Sequence, residues 1–366
     1  MDLSSINWLL LLASLMVAST PILLAGLGEL VVERSGVLNV GVEGMMITGA
    51  VSGFAVGVET GSALAGFAAA AAGGAALALV FGVLTQVLMS NQVATGLALT
   101  LFGLGLSALI GQGYIGVRGV DVPDLDLGAL AALPVAGPIL FRHDAVVYLS
   151  LGLCLGIWAF LYRSRAGLVL RSVGETAEAA HALGTKVVRP RLLAVLFGGA
   201  CAGLGGAYIS LVRVPQWTDG MTAGAGWIAL ALVVFASWRP WRLLLGAYLF
   251  GGLTVLQLNL QAAGAEFPVS AIGGTVAAAG LALAALRHAR QGGLSGTELL
   301  AFAALAVGGA VHAYVTWGTF VPFRIEYLSM APYILTILVL VLISSGRGRA
   351  ALGAPAALGR SFHAAA

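Results

Sequence analysis

The sequence predicts an all-α fold, a polytopic bundle of transmembrane helices. Three observations carry that expectation. About 60% of the 366 residues are hydrophobic. Only 9% are charged, against roughly 25% in an average soluble protein. The mean hydropathy is +1.00, concentrated in long Ala/Leu/Val runs. A soluble chain of this size needs a polar shell, which 18 basic and 15 acidic side chains cannot supply. A soluble enzyme, a disordered chain and a nucleic-acid binder are therefore excluded, and no nucleic-acid partner is expected.

Crossing the hydrocarbon takes about 20 apolar residues in a helix. Segments of that kind lie near residues 8–32, 37–58, 63–89, 91–111, 145–162, 191–212, 222–238, 243–263, 269–287, 298–317 and 327–344. Eleven spans are expected, within a range of nine to eleven. The pair Thr20-Pro21 should kink or break the first, and 222–238 is short. Residues 1–7 carry no positive charge, and the apolar stretch from Trp8 is too long for a signal-peptide core, so the first span is expected to be retained.

Charge sets the orientation. Arg163, Arg165, Arg171, Lys186, Arg189 and Arg191 crowd the loop 163–191, which the positive-inside rule puts in the cytoplasm. Counting helices from there puts Arg34, Arg239/Arg242, Arg287/Arg290 and the tail Arg347/Arg349 inside as well. The acidic loop with Asp121, Asp124 and Asp126 falls outside, with the N-terminus; the C-terminus falls inside. Those three aspartates read as a solvated loop and not as a metal site. Cys154 and Cys201 lie inside predicted spans, so no disulfide framework is implied.

Small residues recur at four-residue spacing in Gly103/Ser107/Gly111 and in Gly199/Gly203/Ala207. Such stripes mark close helix packing in membranes. A chain with 52 glycines also produces them by chance, and that is the reading expected here.

Enzyme signatures are missing. There is no HExxH or GxSxG, and the only lysine, Lys186, follows Thr185 in no phosphate-binding loop. No catalytic residue, metal site or cofactor is expected. The informative element is the basic loop. Gly174 suits the start of a short helix, Glu175 and Glu178 favour its first turn through the helix dipole, and Gly184 suits its end. Thr176, Ala180 and Leu183 should share one face. That face lacks Trp or Phe, which is poor for lying on lipid and better suited to a groove of a cytoplasmic partner.

Four ordered stretches then carry a resemblance: Ala25 to Met46 (AGLGELVVERSGVLNVGVEGMM), Asn91 to Thr100 (NQVATGLALT), the loop through Gly174-Glu175 and Ala179-Ala180, and Gly220 to Leu230 (GMTAGAGWIAL) followed by Trp238 to Arg242 (WRPWR). Together they resemble permease subunits of ABC importers in the branched-chain amino acid/sugar/nucleoside superfamily, above all the nucleoside (basic-membrane-lipoprotein-type) branch. The match covers about 20–264 and resumes near 321–344. It implies a type II ABC importer-like permease core moving a small polar solute, a nucleoside first and a simple sugar next, across a bacterial cytoplasmic (inner) membrane. It also implies a separate cytoplasmic ATPase that binds ATP, a second related permease subunit, and a periplasmic or lipid-anchored solute-binding protein. Arg171, Gly174, Glu175, Glu178, Ala179, Ala180, Leu183 and Gly184 are then the ATPase-coupling residues. The stretch 267–320 has no counterpart in that pattern and reads as an inserted two-helix hairpin, at the periphery, in an otherwise single permease domain.

Intramembrane polar residues are functional candidates by default. Glu43 lies inside the second span with Asn39 one turn earlier on the same face. Both are candidates for the translocation pathway, and an alternative is that Glu43 caps a broken helix. Asn91 and Gln92 begin the fourth span from the inside, and Gln257 lies near the outer end of the eighth. Glu33, beside Arg34, should sit at the cytoplasmic boundary. Trp217 and Trp227 read as interfacial aromatics. An ion-coupled secondary transporter is the alternative function, but the inverted repeats that mark that class are absent. A membrane-embedded enzyme would need ionisable groups clustered at one depth.

Overall fold

The structure is a computed structural model that describes residues 8–126, 128–131, 133–262, 266–268, 270–291, 296–322, 330, 334 and 353–362. The sequence-predicted span 327–344, apart from Met330 and Ile334, lies outside them, as do the N-terminal seven residues and the basic pair Arg347/Arg349. The chain divides into two compact units, the larger built on residues 8–255 and including 353–362, the smaller on 256–331.

Helices α1 (Trp8–Arg34), α2 (Val42–Thr60), α3 (Ala63–Gly82, continued by a π-helical turn Val83–Val87) and α4 (Gln92–Gly111) open the larger unit. A short helix α5 (Ala136–Leu140) and a two-stranded antiparallel ribbon, β1 (Asp124–Asp126) with β2 (Arg142–Asp144), lie in the loop that follows. Then come α6 (Ala145–Arg163), the two short helices α7 (Arg165–Glu175) and α8 (Ala177–Ala182), and α9 (Val188–Tyr208, continued by a π-helical turn Ile209–Arg213). The unit ends with α10 (Ala225–Phe235) and most of α11 (Pro240–Ala262).

Among the described residues seven helices are long and apolar enough to cross a membrane: α1, α3, α4, α6, α9, α11 and the α13 introduced below. The difference from eleven has definite causes. Helix α2 has the length but carries Glu43 and Glu59, and most of it is buried among its neighbours. Helix α10 has 11 residues, about 16 Å, roughly half a hydrocarbon core. Of the α12 introduced below, the apolar stretch Gly273–Ala285 has only 13 residues, and the last expected span lies almost wholly outside the described residues.

Pro21 does not break α1, which runs continuously from Trp8 to Arg34. The hydroxyls of Ser19 and Thr20 donate to the carbonyls of Leu15 (2.7 Å) and Met16 (2.8 Å), supplying donors in the turn where proline removes one.

The small-residue stripes are packing surfaces, contrary to the chance reading. Helix α9 packs against α1, α2 and α3, and its glycines leave no space for side chains. A Cβ on Gly203 would lie 2.1 Å from the Ala70 carbonyl, and one on Gly199 2.3 Å from the Ala78 Cβ. Gly103 of α4 rides on Gly44 of α2 in the same way. Without a hydrophobic gain between helices in lipid, such backbone proximity supplies the dispersion that holds them.

The smaller unit contains α12 (Ser270–Gln291) and α13 (Gly296–Val315), with strands β3 (Glu266–Pro268) and β4 (Phe320–Pro322) paired antiparallel at their open ends. The helices form an antiparallel hairpin. Gly273 faces Gly309, Gly280 faces Leu305, and Arg287 pairs with Glu298 at 2.5–2.9 Å. Leu281, Leu300, Val307 and Val311 point outward and are exposed.

Candidate functional site

The four sequence stretches singled out above converge on one non-helical turn, residues 35–41, and on the ends of α1 and α2 that flank it. Gly36 (φ +89°) ends α1, its amide bonding the Glu33 carbonyl at 2.9 Å. Asn39 then closes an Asx turn by accepting from the Gly41 amide (3.2 Å), which delays the next helix until Val42. Asn39 and Glu43 therefore do not share a helical face. Asn39 Nδ2 reaches back to Glu29 Oε2 (3.1 Å), five residues before the end of α1, so the turn dips into the bundle.

Glu43 sits at the free end of α10. Its carboxylate accepts from Thr222 Oγ1 (2.9 Å) and from the Gly226 amide (2.8 Å). Helix α10 begins after Gly224, in a left-handed conformation, with no side-chain cap of its own, so Glu43 supplies the acceptor from another helix. An anionic group at a helix N-terminus also complements its dipole. The segment 214–224 that leads to α10 is non-helical yet enters the core: Trp217 is 2% exposed and Thr222 is buried. Trp217 is therefore no interfacial aromatic. It packs beside Phe54 and against Gly111, where even a Cβ would collide with its indole. Trp227, in the first turn of α10, stays partly exposed. Irregular backbone inside a membrane protein is tolerated only where protein or a water-filled path surrounds it, and here protein does.

The other end of α10 is held by α1. Ser237 (φ +50°) and Trp238 (φ +54°) are consecutive left-handed residues. That conformation costs L-residues roughly 1–2 kcal/mol each. The Trp238 indole donates to Glu33 Oε2, and Arg34 Nε and Nη2 donate to the Trp238 carbonyl at 3.3 and 3.1 Å. Glu33 is thus buried under Trp238.

Of the remaining pathway candidates, Gln92 is buried and its Oε1 accepts from the Leu38 amide (2.8 Å), joining the same turn. Asn91 is exposed and caps α4 through the Ala94 amide (3.0 Å). Gln257 lies on α11 in the smaller unit and is half-buried.

The basic loop differs from the single helix expected over 174–184. Gly174 lies inside α7, a Cβ there falling 2.2 Å from the Arg34 carbonyl, so α7 seats directly on the end of α1. The break is at Thr176, extended at φ −147°. Helix α8 ends in a Schellman arrangement, with Gly184 (φ +85°) and Thr185 donating to His181 (2.8 Å) and Ala180 (3.0 Å). The expected face is also replaced. Ala180 turns inward with Ala177, against Val173 and Val187. Thr176, Glu178, Ala179, Ala182 and Leu183 are outward, Leu183 being 88% exposed. Glu175 is exposed, and Arg171 lies over the Tyr162 ring at 5.3 Å.

Sequence reasoning missed two features. Residues 353–362 lie across this same surface. Ala357 N donates to Gly174 O (2.9 Å), Gly359 N to Gly36 O (3.0 Å), and the Phe362 ring meets His181 at 5.3 Å. Arg191, 1% exposed, donates to the carbonyls of Ser35 (3.2 Å) and Arg360 (3.1 Å), so it is a buried strut and not a loop charge. Asp144 is the second. It caps α6 through the Val146 and Val147 amides and accepts from Tyr208 Oη at 2.6 Å. An aspartate immediately before an apolar run is the signal that could have found it. Among the described residues no cluster of side chains is suited to a metal.

Residues 11–268 match the model of the family described as branched-chain amino acid transport system / permease component. The chain belongs to this family. It is 48% identical over 248 residues to a putative glucose ABC transporter permease protein of Haloferax volcanii, covering 67% of this chain and 75% of that one. A guanosine ABC transporter permease protein of Bacillus subtilis is 32% identical over 265 residues (69% and 82%), and a nucleoside ABC transporter permease protein of Lactococcus lactis 28% over 276 (71% and 84%). No solved structure gives a significant match. This permease is accordingly a multi-pass membrane subunit of an ABC transporter, a transport component and not an enzyme. The turn 35–41 is where its family-like stretches meet.

Proposed function

We propose that this permease imports a small hydroxylated solute, a simple sugar or a nucleoside, across a cytoplasmic membrane, with ATP bound by a separate ATPase. The 48% identity to a putative glucose permease favours the sugar, and the nucleoside-permease relatives keep the nucleoside as the second reading. A second permease subunit completes the pathway, and a binding protein on the outer side delivers the solute. The basic side bearing 163–191 faces the cytoplasm by the positive-inside rule, which puts the C-terminal side of the chain inside and the N-terminal side outside.

One observation carries the mechanism: Gly174 of α7 is seated on Arg34 and Gly36, at the head of the turn that leads to Glu43. The exposed face of α8, with Ala179, Ala182 and Leu183, is the ATPase dock. A displacement of α8 passes through α7 to the turn 35–41, and Glu43 and Trp238 pass it to both ends of α10. Half-helix α10 with its partly exposed Trp227 borders the solute path, and Asn91 and Gln92 are assigned to the path's flank. Tight binding in the membrane is not required, because conduction needs release. The hairpin α12–α13 lies beyond the family match, which ends at residue 268; we keep it as an insertion into the permease, and its outward leucines and valines suit a lipid-facing surface.

The test is ATP-driven uptake by the complete complex, isolated through this chain and reconstituted in vesicles, with radiolabelled glucose and guanosine in parallel. Uptake of glucose over guanosine supports the sugar reading, and the reverse order supports the nucleoside reading. Uptake driven by an ion gradient without ATP would overturn both.

A further inference from the structure

A sizeable cavity lies away from the turn 35–41. It is a groove of about 1000 Å³ on the outside of the bundle, between α6 and α9. Val31 of α1 forms its floor, Leu193 of α9 one wall, and Gly152 and Gly156 of α6 the other. A Cβ on either glycine would meet nothing within 4 Å, so these two are not buried against protein as the core glycines are. They hollow out the wall of the groove.

The groove has a direction. Along α6 its lining runs from Leu149 to Phe160, about 16 Å of helix. That is the depth of a single leaflet, about half of a ~30 Å hydrocarbon core. At one end α7 closes it, and there the apolar lining gives way to Lys186 and Arg189. Both are exposed, and among the described residues neither has an ion-pair partner. The nearby Arg163 and Arg171 differ, each lying over an aromatic ring, Trp158 and Tyr162. An apolar trough one leaflet deep, with two free cations at its aqueous rim, is complementary to one kind of molecule. A crossing helix would need a groove about twice as long.

We infer that the α6–α9 groove is a binding site for an anionic phospholipid of the leaflet on the basic side. Its acyl chain lies along Gly152 and Gly156, and its phosphate lies between Lys186 and Arg189. Basic pockets between transmembrane helices hold anionic headgroups in this way, each cation near the surface adding attraction. The site adjoins α7, so an occupied groove also braces the arm that carries α8.

The test uses the full-length permease in its purified complex, titrated in detergent with phosphatidylglycerol or phosphatidylcholine and read by native mass spectrometry. Wild-type complex should retain phosphatidylglycerol in preference to phosphatidylcholine. Lys186→Glu with Arg189→Glu should lower retention of the anionic lipid by roughly thirtyfold or more while leaving phosphatidylcholine unchanged. Gly152→Leu with Gly156→Leu, which fills the trough where the protein has space, should lower retention of both lipids. Equal retention of the two lipids by wild type, or no change in either variant, overturns the site. Loss of another polytopic subunit from the glycine variant with lipid retention intact also overturns it, making the groove a helix seam.

Discussion

The Glu43 carboxylate accepts from the Gly226 amide at 2.8 Å, so the first turn of α2 caps a helix that begins 182 residues later in the chain. The fit is tight from both sides, because a Cβ on Gly226 would lie 2.7 Å from the Glu43 Cα. Glu43→Ala leaves a buried amide and the Thr222 hydroxyl without acceptors, a cost on the order of 2–4 kcal/mol. The expected result is a lower unfolding temperature in detergent and an altered Trp227 emission. Gly226→Val should be at least as damaging through overlap alone, whereas Glu43→Gln, which keeps one carbonyl oxygen, should lose less than Glu43→Ala.

Ser237 offers the opposite sign. It holds φ +50° without being glycine, so Ser237→Gly removes a left-handed penalty of about 1 kcal/mol. Thermal unfolding of the variant should move upward, because the Trp238 contacts to Glu33 and Arg34 remain. An equal or lower unfolding temperature would show that this turn is not strained in the intact protein.

The segment 353–362 ties α7 to the end of α1. Through Gly174, Gly36 and Arg191 it makes three backbone-directed hydrogen bonds at 2.9–3.1 Å. Each contributes roughly 0.5–1.5 kcal/mol. A chain ending at 352 should insert normally but loosen its basic loop, with trypsin cleaving after Lys186 more than about tenfold faster. An unchanged cleavage rate would mean that the arm is held by α7 alone.

Much of this was legible from residue order. Span length and hydropathy located the helices to within a few residues, and the shortness of 222–238 already marked α10. What escaped was set by local competition that hydropathy does not register. Residues 37–41 are almost wholly apolar and read as helix, but the Asx turn at Asn39 and the positive φ of Gly36 divert the backbone. Pro21 reads as a break, yet neighbouring hydroxyls supply donors within the same turn. In the Ala-rich stretch 177–182 side-chain size gives no face, so the inward turn of Ala180 depends on Val173 and Val187. Trp217 reads as interfacial because aromatics gather there; the missing side chain of Gly111 makes the space that buries it. The contacts of Arg191 and of 353–362 join residues far apart in sequence, and no periodicity reports them.

The central claim is that α8 receives the ATPase, and Leu183 is its most exposed apolar side chain. The decisive measurement is affinity isolation of the tagged permease from native membranes, comparing wild type with Leu183→Glu and scoring the ATPase recovered. The outward position of Leu183 means that this change leaves the fold intact, which the unfolding temperature checks. The account predicts an ATPase with wild type and its loss with Leu183→Glu at unchanged stability. Equal recovery of the ATPase from both would contradict it.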